Sequence, residues 1–275
     1  MKMARADPAA RTSIEALRRQ VAVIERTGDG RSVAAGRRVA LDDGPVDAAL
    51  GGGLATGVLH EIMPAAADSA AGGGFALALA LRLAPAGRPL VWIRDERAVR
   101  EGGALHADGL AALGLDPARL ILVQLGGAAS ILRAGIDVVR CAALGAVIIE
   151  LWGDPKALDL TCERRLLLCA EQSGVTAILL RPGAKAAPGG AETRWRVGAG
   201  AARALAMNAP GPPTFDLTLL RHRHGSPGGP WRLEWNRDEK RFEPDSTALL
   251  RDPLSRSRLQ PAAPPAARAL LRHAG

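Results

Sequence analysis

Between Gly57 and Gly183 the chain alternates short apolar runs with stretches of helical periodicity. GVLHEIM precedes FALALALRLA, PLVWIRD precedes the segment around LHADGLAALG, LILVQL precedes SILRAGIDVVRCAAL, AVIIELW precedes LTCERRLLLCAEQ, and TAILLRPG closes the series. A short, near-continuous apolar run suits a strand covered on both faces, and a helix between successive strands lets them run parallel. The pattern therefore predicts an α/β fold with a mostly parallel sheet and helices on both faces, its strands at Val58 to Met63, Leu90 to Asp95, Leu120 to Gln124, Ala146 to Leu151 and Ala177 to Leu180. After RPGAKAAPGGAE come WRVGA, TFDLTLLRHR and PWRLEWN with no helix between them, which predicts antiparallel strands added at one edge near the C-terminus. Alternation puts Phe215, Leu217 and Leu219 on one face of their strand and Trp231, Leu233 and Trp235 on one face of theirs, with HGSPGGP as the turn between.

The flanks differ from this core. Residues 13 to 26, SIEALRRQVAVIER, place Ile14, Leu17, Val21 and Ile24 on one helical stripe, and the polar, glycine-containing TGDGRSVAAGRR follows as a linker. Residues 1–38 read as an N-terminal amphipathic helix and linker, 39–243 as the α/β domain, and 244–275 as a basic Pro/Ala/Arg-rich tail with too little apolar density to pack, expected to be disordered. The stripe serves either contact with another protein or packing on its own domain. At 275 residues, 48% hydrophobic and 23% charged, the composition is that of a globular protein, and no uncharged apolar run approaches the length of a membrane span. No apolar stretch of signal-peptide type precedes the first helical pattern, so the expected compartment is the cytoplasm. Cys141, Cys162 and Cys169 lack metal-site or redox spacing and read as reduced thiols. The formal charge of +8 suits nucleic acid or an acidic protein surface, although much of the excess sits in the two ends rather than on the core.

The segment from Leu59 to Ala84, LHEIMPAAADSAAGGGFALALALRLA, has the layout of a phosphate-cradling loop: strand, small and glycine residues, then helix. A working loop of this class ends in Gly-Lys-Ser/Thr, the lysine meeting the terminal phosphates and the hydroxyl holding magnesium. Here Gly72, Gly73 and Gly74 run directly into Phe75 and Ala76. Two readings stay open for the run, a phosphate held by backbone N–H groups at a helix N-terminus, or a structural turn. His222 and His224 stand at strand spacing on one face, but the sequence offers no neighbouring acidic or thiol partner, so no metal site is assigned.

Four segments carry a resemblance to the RecA-like superfamily, and within it to the ImuA family. They are VDAALGGGLATGVLHEI (Val46 to Ile62), WIRDE (Trp92 to Glu96), AVIIE (Ala146 to Glu150), and the pair LEWN and RF near the C-terminus. The resemblance implies that Glu96 occupies the place of the glutamate that orients the hydrolytic water, and Glu150 that of the magnesium-linked carboxylate, where an aspartate is usual. Asp154, just beyond, reads equally as a helix N-cap. It further implies a degenerate nucleotide site at Gly72, Gly73, Gly74, Glu96 and Glu150 with no catalytic residue and no required cofactor, ATP included. The implied role is a non-enzymatic adaptor in bacterial DNA-damage-induced translesion synthesis and mutagenesis. Its partners would be a recombinase of the RecA type and an ImuB-like homologue of the Y-family polymerases, with an error-prone replicative polymerase engaged indirectly and DNA a further candidate. The surfaces expected to carry those contacts are the Ile14, Leu17, Val21, Ile24 stripe and the Trp231/Trp235 face. The competing reading is an active ATP-dependent DNA-remodelling enzyme whose phosphate lysine comes from elsewhere, for example Lys156 or Lys185.

Overall fold

The computed structural model describes residues 37–42, 44–203, 205–209 and 211–245. The Ile14, Leu17, Val21 and Ile24 stripe and the tail beyond 245 lie outside these residues. A two-stranded ribbon, β1 (Arg38–Val39) and β2 (Leu54–Ala55), flanks helix α1 (Pro45–Ala49). Asp47 fastens this entry segment, its carboxylate accepting the N–H groups of Leu41 at 2.8 Å and Asp42 at 3.1 Å. Gly53 follows at φ +109°, where a Cβ would stand 2.4 Å from the Val39 carbonyl oxygen, so only glycine fits the turn.

The nine-stranded sheet has the order β11-β10-β9-β8-β3-β7-β6-β4-β5. Its parallel part comprises β3 (Leu59–Pro64), β4 (Leu90–Asp95), β5 (Leu120–Leu125), β6 (Ala146–Glu150) and β7 (Thr176–Leu180). These match the five expected strands to within a residue or so at each end. The extension comprises β8 (Thr193–Ala199), β9 (Thr214–His222), β10 (Gly228–Asn236) and β11 (Arg241–Pro244). One direction differs from expectation: β8 runs parallel to β3 and only its other edge is antiparallel, to β9. The loop from Arg181 to Glu192 carries the chain back along the sheet without a helix, so the reversal begins one strand later than the loss of helical periodicity suggests.

Helix α2 (Ser69–Leu83) covers one face; α3 (Glu96–Gly102) and α4 (Ala107–Ala112) follow β4; α5 (Ala128–Val139) and α6 (Leu160–Ser173) cover the other face. Two apolar cores result. The first joins Phe75, Leu77, Leu79 and Leu81 of α2 to Trp92, Ile148, Trp195, Phe215, Leu217, Leu219, Trp235 and Phe242. The second joins α5 and α6 to Val91, Ile93, Val147, Ile149 and Leu179. Successive strand residues alternate between them, as the pleat requires. No helix among the described residues is long and apolar enough to cross a membrane.

Candidate functional site

The region to test is the crevice beyond the C-terminal ends of β3, β4, β6 and β7, where open α/β sheets place their ligands. Helix α2 begins at Ser69, ahead of the glycine run, so Gly72, Gly73 and Gly74 lie inside the helix rather than in a loop before it. Their N–H groups fall within the helical ladder, past the orphan donors of the first turn. Close packing accounts for the first glycine: a Cβ on Gly72 would meet Pro64 Cγ at 2.3 Å. Corresponding atoms on Gly73 and Gly74 would make ordinary contacts, 3.7 Å to Trp92 and 3.5 Å to Phe215. At the mouth of the helix stands Asp68, whose carboxylate accepts the Ala199 N–H at 3.3 Å. An acid at a helix N-terminus is favourable there and repels a phosphate from the same place.

Glu150 ends β6 and is buried, 4% exposed. Arg94 of β4 grips it with two bonds, Nε to Oε2 at 2.6 Å and Nη2 to Oε1 at 3.1 Å, while Trp92 Nε1 donates to Oε2 at 2.8 Å. The remaining Arg94 arm donates to the Gly103 carbonyl at 3.0 Å. Both oxygens of the carboxylate expected at the magnesium position are thus engaged by a bidentate guanidinium and an indole, a strong charge-assisted arrangement. Glu96, by contrast, is exposed at the first turn of α3, which Asp95 caps by accepting the Arg97 N–H at 3.2 Å. The sequence marked Glu150 and Glu96; it did not mark Arg94, the residue that decides what Glu150 does.

A second charged group was missed entirely. Glu61, in the middle strand β3, is fully buried and bridges two arginines: Arg181 Nη1 donates to Oε1 at 2.6 Å and Arg194 Nε donates to Oε2. Arg181 also donates to Asp154 at 2.5 Å, and Asp154 accepts the Lys185 N–H at 3.1 Å. Asp154 is therefore a partner of Arg181 rather than a helix cap; α6 is capped by Asp159, which accepts the Cys162 N–H at 2.7 Å. Glu163 of α6 lies alongside and accepts the Gly190 N–H at 2.5 Å. Burial pushes its carboxyl above the usual carboxylate range, the Gly190 bond pulling the other way. A charged residue inside a mostly apolar strand, Glu61 in LHEIMP, was the sequence signal; Arg194 in TRWRV stands beside a second, exposed arginine and did not stand out. The cluster ties β3, β7, β8 and the loops after β6 and β7 together, and its chemistry is that of a clamp.

Near the opposite end of β3, Glu192 sits between His222 Nε2 at 3.8 Å and His224 Nε2 at 3.7 Å, supplying the carboxylate that the sequence did not place there. Among the described residues no group of three or more acidic, histidine or cysteine side chains is arranged to hold a metal. His60, fully buried, contacts Thr193 Oγ1 and the Ala55 carbonyl, each at 2.8 Å. Burial holds both His60 and His222 below the usual histidine range.

Of the expected partner face, Trp235 is 1% exposed, packs on Phe242 with ring centroids 4.9 Å apart, and donates from Nε1 to the Leu113 carbonyl at 2.9 Å. Its ring belongs to the core. Trp231 is half-buried, 6.3 Å from the Trp195 ring. A cleft of about 620 Å³ opens beside this region, lined among others by Arg203, Leu205, Pro213, Asn236 and Arg237. Lys156 and Lys185, the alternative phosphate lysines, are both exposed in the loops after β6 and β7.

No protein-family profile matches the chain. Curated relatives do: Protein ImuA of Caulobacter vibrioides, in two strains, is 32% identical over 210 residues, which cover 67% of this chain and 77% of the relative.

Proposed function

Because the chain belongs to the ImuA family, we propose that it acts in damage-induced mutagenesis as a non-enzymatic adaptor, built on a nucleotide-binding scaffold whose phosphate and metal positions now serve packing. The observation that carries the reading is the Glu150 carboxylate, held on both oxygens by Arg94 and Trp92. A divalent cation would have to break a buried ion pair to reach it, a loss of about 3–5 kcal/mol when one partner is removed. The placement of the three glycines inside α2 with Gly72 packed on Pro64, the absent lysine and hydroxyl after Gly74, and Asp68 at the helix mouth support the same conclusion on the phosphate side.

The adaptor joins a recombinase of the RecA type to an ImuB-like polymerase homologue in translesion synthesis, in the cytoplasm. Its N-terminal stripe and basic tail are the segments assigned to those contacts. Two measurements test this. Mg-ATP is expected to leave the melting temperature unchanged, with turnover far below the roughly 1 s⁻¹ typical of slow enzymes. Pull-down with the resident recombinase and the ImuB-like protein is expected to recover both. Turnover at enzymatic rates that is abolished by Glu96→Gln, or capture of neither partner, overturns the reading.

A further inference from the structure

The outer surface made by α5 and α6 holds a groove of about 520 Å³, floored by Leu132 and Ile136 of α5 and walled by Thr161 and Cys162 of α6. Along α5 it runs from Ala129 to Arg140, roughly 17 Å at 1.5 Å per residue, the length of about five residues of extended chain. Its rim is charged. Asp137 is paired with Arg140 at 3.4 Å and Asp159 accepts the Cys162 N–H, so both acids of the rim already have partners. Arg133 of α5 and Arg165 of α6 are exposed, and among the described residues neither has a hydrogen bond or an ion pair. Beside the groove α6 exposes Leu160 by 57%, with the exposed Arg164 about one turn further on and Leu168, 42% exposed, about two.

Unpaired guanidinium groups next to exposed leucines fit a ligand that is both anionic and apolar. Neither end of this chain has that character: residues 1–36 carry seven Lys or Arg against four Asp or Glu, and residues 246–275 carry five against one. The ends of a second copy are equally basic. A nucleic-acid backbone, charged at every phosphate, would be pressed against Asp137 and Asp159 as well as drawn to the arginines, and no aromatic ring lines the groove to stack a base. A peptide can set its carboxylates at Arg133 and Arg165 and lay its apolar side chains against Leu160. We propose that the α5–α6 groove docks a short acidic segment of another protein, in which Asp or Glu alternate with large apolar residues. The site is distinct from the N-terminal stripe and the basic tail.

Fluorescence anisotropy of the full chain with a labelled peptide of about ten residues, Asp-Glu pairs alternating with Leu-Leu pairs, tests the docking. Saturable binding is expected at low salt with a Kd on the order of 10–100 µM, weakening as salt is added. The same peptide with Lys for every acid, or with Ser for every leucine, should bind about tenfold more weakly or worse. Arg133→Glu combined with Arg165→Glu should weaken the acidic peptide by about tenfold or more with an unchanged melting temperature, since both side chains are exposed. Arg133→Gln combined with Arg165→Gln repeats the test if the reversed pair melts early. In a Cys141→Ser background, bound peptide should slow alkylation of Cys162 in the groove wall. Absence of saturable binding, equal binding of the Lys peptide, or unchanged affinity in the folded arginine variants overturns the proposal. So does binding that is lost only on removal of residues 246–275, or a single-stranded oligonucleotide that binds through the same two arginines where the peptide does not. None of these readouts depends on the adaptor role.

Discussion

Alanine substitutions within the glycine run separate packing from phosphate binding, because adjacent positions should respond with opposite sign. In Gly72→Ala the new Cβ would lie 2.3 Å from Pro64 Cγ and 2.8 Å from Pro64 Cβ. The nearer of these is more than 1 Å inside the ~3.5 Å carbon–carbon optimum, and neither the proline ring nor a helix backbone can rotate away. Helix α2 must lift from β3, loosening a helix that buries Phe75 and the run from Ala76 to Leu81. Overpacking of this kind costs about 1–3 kcal/mol, whereas replacing a helical glycine with alanine returns about 1 kcal/mol. Taking the upper half of that cost for a clash with two rigid groups, the net is a destabilisation of about 1–2 kcal/mol, or a melting temperature lower by about 2–8 °C for a domain of this size. Gly73→Ala meets only Trp92 at 3.7 Å, so the helix propensity should prevail and stability rise by about 0.5–1 kcal/mol. Differential scanning calorimetry or urea unfolding of the two variants decides it. If Gly72→Ala is as stable as the parent, or Gly73→Ala loses more than about 1 kcal/mol, the run is not read correctly as a packing device.

Removing one charge from the buried clamp should be far more costly: Glu61→Gln leaves Arg181 and Arg194 facing a neutral amide, and urea unfolding should show a loss of about 3–5 kcal/mol. Glu163 responds in the opposite sense. Its carboxyl is pushed up by burial, so the folded state favours the protonated form, and its contribution is most favourable in acid and is lost as pH rises through the raised value. Glu163→Gln keeps an acceptor for the Gly190 N–H, and should therefore be more stable than the parent at neutral pH, the gain shrinking as the solution is acidified. For His60 and His222, burial depresses the folded value while the unfolded rings take up protons near the ordinary ~6.5, so unfolding binds protons below that pH. Thermal melts should show stability that is full above about pH 6.5 and declines below it, with a smaller decline in His222→Gln.

The sequence by itself determined the layers of this protein. Strands β3, β4, β6 and β7 and the antiparallel extension were legible because burial on both faces writes a near-continuous apolar run, half-burial writes alternation, and both are local signals; β5 was legible from its apolar run although it is largely exposed. Glu150 and Glu96 were legible as positions at strand ends, and the missing lysine after Gly74 as a break in a local motif. What those residues contact was settled only by the fold. Arg94 and Glu150 are 56 residues apart in the chain and Arg194 and Glu61 are 133 apart, joined because β4 lies beside β6 and β8 beside β3. Strand order is a property of pairing, which no single segment encodes. For the same reason LILVQL announced a strand but not an edge, and WRVGA a strand but not its direction. Gly72 looked like a loop residue because glycine is conformationally permissive; its use here, a helix lying against Pro64, follows from the distance between two elements rather than from the backbone freedom of one residue.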